Sequence, residues 1–150
     1  MLRLKPAEEF FNLAKEKGVA IIVRVPLASG LLTGKMNSNS TFPENDHRNY
    51  NINGDAFDVG ETFSGVDFNT ALKVVDELKS ITPEGFTLSQ LALKWILMHD
   101  AVSVIIPGAK NSDQALNNIS ASSFPDISNI MKQIENIYAT YLKDDIHPRW

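Results

Sequence analysis

Apolar residues recur along this chain with two periods, and the changes of period mark its elements. Ala7, Phe10, Phe11 and Ala14 fall at helical spacing, with Pro6 placed as a first helical residue and Gly18 as a stop. Residues 19–25 are a near-continuous apolar run, the pattern of a strand buried on both faces. Helical spacing returns after Asp67 with Phe68, Ala71, Leu72, Val75 and Leu78, and breaks at "SITPEG". Thr87 and Gln90 spell a capping box. The helix they open, to about His99, is apolar nearly all round and so predicts burial against more than one neighbour. "AVSVIIPG", residues 101–108, predicts a second short buried strand, and "NSDQALNNIS" reads as the start of a helix. A last helix over about 126–142 puts Ile127, Ile130, Met131, Ile134, Ile137, Tyr138 and Tyr141 on one face.

Residues 36–66 show neither period and are rich in Asn, Ser, Asp and Gly. A segment this long without regular structure is usually functional or disordered. Phe42, Tyr50, Phe57 and Phe63 are spaced through it and predict a loop that packs down. The order is α-β-loop-α-α-β-α-α, an α/β pattern with two parallel strands and right-handed crossovers. Two strands cannot close a parallel sheet with both edges covered, so the chain reads as part of something larger. An open sheet of this kind predicts a sticky, dimer-prone or partly disordered chain when expressed alone.

Composition narrows the function. With 43% hydrophobic residues in 150, the chain can bury one core. A net charge of −4 without a basic face argues against nucleic acid as a partner. The absence of cysteine excludes disulfides and thiolate metal sites. No apolar run reaches the ~18 residues of a membrane span, and the opening "MLRLKPAEEFF" lacks the features of a signal peptide. The expectation is a cytoplasmic protein without a membrane or nucleic-acid partner.

The chemistry points to the two strand exits, "VRVPLASGLLTGK" and "VIIPGAKNSDQALNN". In parallel α/β proteins, ligands sit at the carboxyl ends of strands. Proline fixes the exit angle, and small residues admit a ligand close to backbone N–H groups. The second exit runs into a helix whose N-terminus favours an anion, with Lys110 in the intervening turn. Phosphate is the anion this predicts. A Pro-Gly after a strand is by itself only a turn; two such exits, each after an apolar strand, raise the case for a ligand.

These same segments resemble the C-terminal half of an aldo-keto reductase. "RVPLASGLLTGK" is similar to that family's segment after barrel strand seven, and "SVIIPGAKNSDQALNN" to its strand eight and 2′-phosphate-binding turn. "HRNYNINGDAFDVGETFSGV" resembles the large loop, and "IYATYLKDDIHPRW" the tail, of one bacterial branch. The resemblance implies a partial (β/α)8 TIM barrel over residues 1–150, holding strands seven and eight and their helices. A complete barrel takes about 250 residues. It also implies NADP (as NADPH) as cofactor. By matching position, Pro26, Leu27, Ala28, Ser29, Gly30 and Leu31 would lie along the pyrophosphate. Arg24 stands where many relatives place an aromatic that stacks on the nicotinamide; an arginine plane can also cover a ring. Gly108, Ala109 and Lys110, entered from Ile106 and Pro107, would surround the 2′-phosphate. Gln114, Asn117 and Asn118 would face the phosphate or adenine from the helix. Some relatives carry Lys-Ser at 108–109 and Arg at 114, so NADPH preference here rests mainly on Lys110.

The family reduces carbonyls with a Tyr, Lys, Asp and His from the N-terminal half, which the resemblance does not find in this chain. Tyr138 and Tyr141 lie on a packing stripe, and Tyr50 lacks an evident lysine partner. His47, between Asp46 and Arg48, reads as a solvated cluster. His99 ends a helix, where a cation meets the dipole, and His147 sits in the tail that walls the pocket in relatives. Three readings stay open. The chain is an inactive fragment of an NADPH-dependent carbonyl reductase, which the chemistry favours; a stand-alone half-barrel module that binds NADP(H) or pairs with another chain, such as a second copy; or half of an enzyme completed by the missing N-terminal half-barrel, separately encoded.

Overall fold

The computed structural model describes residues 1–149; Trp150 of the tail motif lies outside the described residues. Helices α1 (Lys5–Glu9) and α2 (Phe11–Glu16) lead into strand β1 (Ile21–Val23). A tight 3-10 turn at Ala28–Thr33 follows, then a long segment holding α3 (His47–Tyr50) and two further 3-10 turns. Helices α4 (Phe68–Ser80) and α5 (Leu88–Leu97) carry the chain back to strand β2 (Val102–Ile105). Helices α6 (Ser112–Ser120), α7 (Ser128–Tyr141) and α8 (Lys143–Ile146) complete it. The expected element order is therefore present.

β1 and β2 pair in parallel, Ile21 opposite Val102 and Val23 opposite Ile105, with an irregularity between Ile21 and Ile22. The Ile106 N–H donates to the Val23 carbonyl at 3.0 Å and carries the ladder past β2. Both strands are shorter than the apolar runs that announce them. They are also not buried on both faces: Ile22 is 62% and Val104 43% exposed. The cause is that each strand has a single sheet neighbour among the described residues, so one edge and much of its surface meet solvent. The first helix also differs from expectation. It starts at Lys5 and divides at Phe10, whose φ of −108° departs from helical geometry. Phe10 is exposed, and of its stripe only Ala14 is buried.

The core lies on the other side, where α4, α5, α7 and the first turn converge. Leu31, Ala71, Val74, Leu78, Leu91 and Ile134 are its fully buried centre. α5 is enclosed as its all-round apolarity requires, and the terminal helix buries Ile130, Ile134 and Tyr138 as its stripe predicts. The helix starts follow local chemistry. Asp67 caps α4 by accepting from the Thr70 N–H at 2.9 Å. At α5 the Thr87 hydroxyl accepts from the Gln90 backbone N–H at 3.2 Å, and the Gln90 side-chain Oε1 accepts from the Thr87 N–H at 2.8 Å.

The 36–66 segment packs down, and a buried asparagine organises it. Asn51 is 0% exposed. Its Nδ2 donates to Thr62 Oγ1 at 3.1 Å and to the Asp58 carbonyl at 3.4 Å. Its Oδ1 accepts from the N–H groups of Ala56 at 3.0 Å and Phe57 at 2.8 Å. Every hydrogen-bonding position of that side chain is filled, which is what permits its burial. Phe42 and Phe63 pack onto the core with Phe68, whereas Tyr50 and Phe57 stack on each other at the surface. No helix of the described residues is long and apolar enough to cross a membrane.

Two outcomes follow for stability. Leu91→Ala should cost about 2–5 kcal/mol by opening a cavity and Thr87→Ala only about 1 kcal/mol by removing a cap, measured as paired urea melts. Hydrogen bonds from the Thr70 backbone hold the Asp67 carboxyl below its usual range. A carboxyl depressed on folding stabilises above its unfolded pKa of about 3.9, and that contribution is lost as pH falls through the folded value. Acid titration followed by circular dichroism should therefore show α4 loosening below about pH 4, with a weaker acid limb in Asp67→Asn.

Candidate functional site

Parallel pairing fixes the location of the site. Because β1 and β2 are adjacent and run the same way, their carboxyl ends open side by side. Residues 24–31 and 106–118 therefore leave the sheet at the same end.

At the first exit the backbone turns through the left-handed region four times. Val25 (φ 50°), Ala28 (φ 48°) and Ser29 (φ 56°) adopt it without being glycine, and Gly30 (φ 91°) continues it. Each non-glycine residue there costs on the order of 1–3 kcal/mol, most of all the β-branched Val25. Such a conformation persists only where the surroundings enforce it. Pro26, Ala28 and Leu31 are buried and anchor the turn to the core, while Leu27, Ser29 and Gly30 are half-buried. Gly30 suits its place through its φ of 91°, which other residues rarely adopt; a Cβ there would also lie 3.2 Å from the end of the Met36 side chain.

The 58–64 stretch lies against this turn. Arg24 reaches Glu61 with both terminal nitrogens, at 3.0 and 2.5 Å. Hydrogen bonding to Arg24 holds the Glu61 carboxyl below its usual range. Arg3 donates to the Gly60 carbonyl. Ser29 Oγ lies 3.3 Å from the Glu61 carbonyl, 3.2 Å from the Phe63 N–H and 3.2 Å from His47 Nε2. Sequence reasoning missed Glu61, Arg3 and this use of Ser29. Their separations in sequence are long, and no periodicity links them.

At the second exit Pro107 is half-buried, and Ile106, Gly108, Ala109 and Lys110 are exposed. Asn111 caps α6 through the Gln114 N–H at 2.9 Å. The Gln114 side-chain oxygen accepts from the Lys110 N–H at 2.9 Å and closes the turn. Asn118 Nδ2 donates to the Gly108 carbonyl at 3.2 Å. Asn117 differs from its neighbours in facing the protein: its side-chain oxygen accepts from buried Gln90 at 2.8 Å. The Lys110 ammonium makes no ion pair among the described residues.

The remaining candidates are occupied structurally. Asp46 grips Arg48 with both oxygens, at 2.9 and 2.6 Å, and caps α3, so the cluster around His47 is an ordered brace. Tyr138 is buried with its hydroxyl 3.3 Å from His147, and Tyr141 donates to Glu77 at 3.3 Å. His99 departs from expectation. Burial against Trp95 and Phe11 lowers its pKa, which disfavours the cation at the helix end.

Beside β1 runs a groove of about 310 Å³, walled by Pro6, Phe10, Phe11, Ile22, Val25 and Trp95. It is the uncovered flank of the sheet, next to the first exit.

Comparison with known proteins identifies the family and the fold. The profile of the Aldo/keto reductase family matches residues 1–139. The aldo-keto reductase str7 of Strobilurus tenacellus is 34% identical over 119 residues, 79% of this chain and 33% of that protein. An NADP(+) aldo-keto reductase, yakc, of Schizosaccharomyces pombe is 27% identical over 118 residues, 78% of this chain and 32% of that protein. Among solved structures, the glycerol dehydrogenase of Gluconobacter oxydans superposes with a TM-score of 0.72 at 22% identity, covering 91% of this chain and 39% of that one. The chain thus spans about a third of the length of the curated relatives it matches, and its fold is that of part of the barrel. The profile match over residues 1–139 is what decides: the chain belongs to the aldo/keto reductase family.

Proposed function

We propose that this chain is the NADP(H)-binding part of an aldo-keto reductase barrel, with β1 and β2 as its strands seven and eight. The observation that carries this reading is the pair of exits opening at one end of a parallel ladder, one strained and one rich in donors. The donor set fits a dinucleotide. A Cβ built on Gly108 meets nothing within 4 Å, which leaves its backbone open to a ligand. Lys110 and the N-terminus of the nine-residue α6 offer positive charge beside it.

In this reading the backbone of Pro26, Leu27, Ala28, Ser29, Gly30 and Leu31 lies along the pyrophosphate. Leu31 contributes backbone only, its side chain being sealed in the core. Arg24 presents its guanidinium near the nicotinamide, held there by Glu61. Lys110 neutralises the 2′-phosphate, flanked by Gly108 and Ala109 after Ile106 and Pro107. The free amide nitrogen of Gln114 and free oxygen of Asn118 point the ligand's adenosine end, and Asn117 braces them from Gln90. Bound NADPH supplies a hydride for carbonyl reduction in the complete barrel. The proton donor and its Lys, Asp and His partners come from outside this chain. Its own tyrosines are engaged elsewhere: Tyr50 on Phe57, Tyr138 near His147 and Tyr141 on Glu77. A second reading, a non-catalytic module that docks a partner chain or a second copy, is favoured by the exposed Ile22, Val25, Val104 and Ile106 along the two strands.

A thermal melt with and without NADPH tests the first reading. NADPH at ~100 times its dissociation constant should add about 2.7 kcal/mol. Lys110→Ala should weaken NADPH about 10–100-fold, the range for a hydrogen bond to a charged group, and leave NADH nearly unchanged. A melt indifferent to NADPH overturns this reading. A concentration-dependent mass in sedimentation would favour the second.

A further inference from the structure

We propose that Ser29 is a positioning residue whose hydroxyl pins the 47–63 stretch against the first strand exit. As a statement about ligand binding, this rests on reading that exit as the dinucleotide site. A serine hydroxyl has one hydrogen to donate and two positions to accept. The Glu61 carbonyl, 3.3 Å away, can only accept. The Phe63 N–H, at 3.2 Å, can only donate and fills one accepting position. His47 Nε2 lies 3.2 Å from the same oxygen, so three residues of one stretch converge on this hydroxyl.

The backbone shows what the pin holds. Ser29 (φ 56°), Phe63 (φ 49°) and Ser64 (φ 61°) are all non-glycine residues in the left-handed region. Two strained turns, 34 residues apart, are fastened to each other through Ser29 Oγ and the Phe63 N–H. Phe63 is itself fully buried against Phe42 and Phe68, so fixing its amide fixes the register of the stretch on the core. Arg24 grips the same stretch at Glu61. Ser29 therefore shapes the exit by placing Glu61, and through Glu61 it places Arg24.

Hydrogen exchange at the Phe63 amide, paired with NADPH titration, tests this in the full chain. In Ser29→Ala, exchange of the Phe63 amide should accelerate about tenfold, the upper worth of one such bond, while the Leu91 amide in α5 keeps its protection. NADPH affinity should fall severalfold in the same variant. Ser29→Asn, which tolerates the left-handed backbone and offers both a donor and an acceptor, should restore both readouts in part. Should Ser29→Ala not fold, Ser29→Gly relaxes the backbone while removing the hydroxyl, and its Phe63 amide decides the same point. Weaker NADPH binding with unchanged Phe63 exchange overturns the proposal, because the hydroxyl would then touch the ligand. Faster Phe63 exchange with unchanged NADPH affinity overturns the link to the ligand. If the unaltered chain binds no NADPH, the site assignment fails, and the pin stands or falls on Phe63 exchange alone.

Discussion

A parallel ladder of three to four residues per strand is the constraint on which this structure depends. Parallel neighbours cannot be joined by a hairpin, so the chain must travel the length of the sheet and return. Here the return is made by the 36–66 segment, α4 and α5, and their packing builds the core. The same pairing sets the two exits side by side. Fold and candidate site thus share one cause, and the site lies at the exits because that is where both strands release their backbone.

The ladder is short, so the first turn needs other support. It is buried from below by Leu31 and Leu32 and braced from the side by the 58–64 stretch. The non-glycine residues held at positive φ collect where these supports meet. Strain of this kind is expected where the surroundings over-determine a backbone, and such places are commonly functional. The second exit carries no comparable strain. It is closed by side chains of α6 that bond back to the turn, an inexpensive arrangement that leaves Gly108 and Lys110 open to solvent.

Local features were legible in the sequence. The Asp67 cap, the Thr87–Gln90 capping box and the stripe of α7 each depend on residues within a few positions of one another. Both exits were legible too, because proline and small residues after an apolar run change the composition abruptly. Depth of burial was not. An apolar run announces a strand that wants covering, while Ile22 and Val104 are exposed because covering depends on neighbours that the run cannot specify. Nor were the polar hubs. Asn51 binds groups 5 to 11 residues away, and Ser29 binds Glu61 and Phe63 across 32 and 34 residues. A lone Asn or Ser in a polar stretch looks like any other loop residue. His99 misled for a related reason: position at a helix end suggests a cation, whereas burial among the rings around it disfavours the charged form.

Gln90 performs two tasks with the two ends of one amide. Its oxygen closes the cap of α5 on Thr87, and its nitrogen donates to Asn117 at 2.8 Å and Ser120 at 3.0 Å in α6. A glutamate would serve the cap equally well but has no N–H for the Asn117 oxygen. Shorter polar residues would not span both. Position 90 is therefore a rivet between α5 and the helix of the second exit.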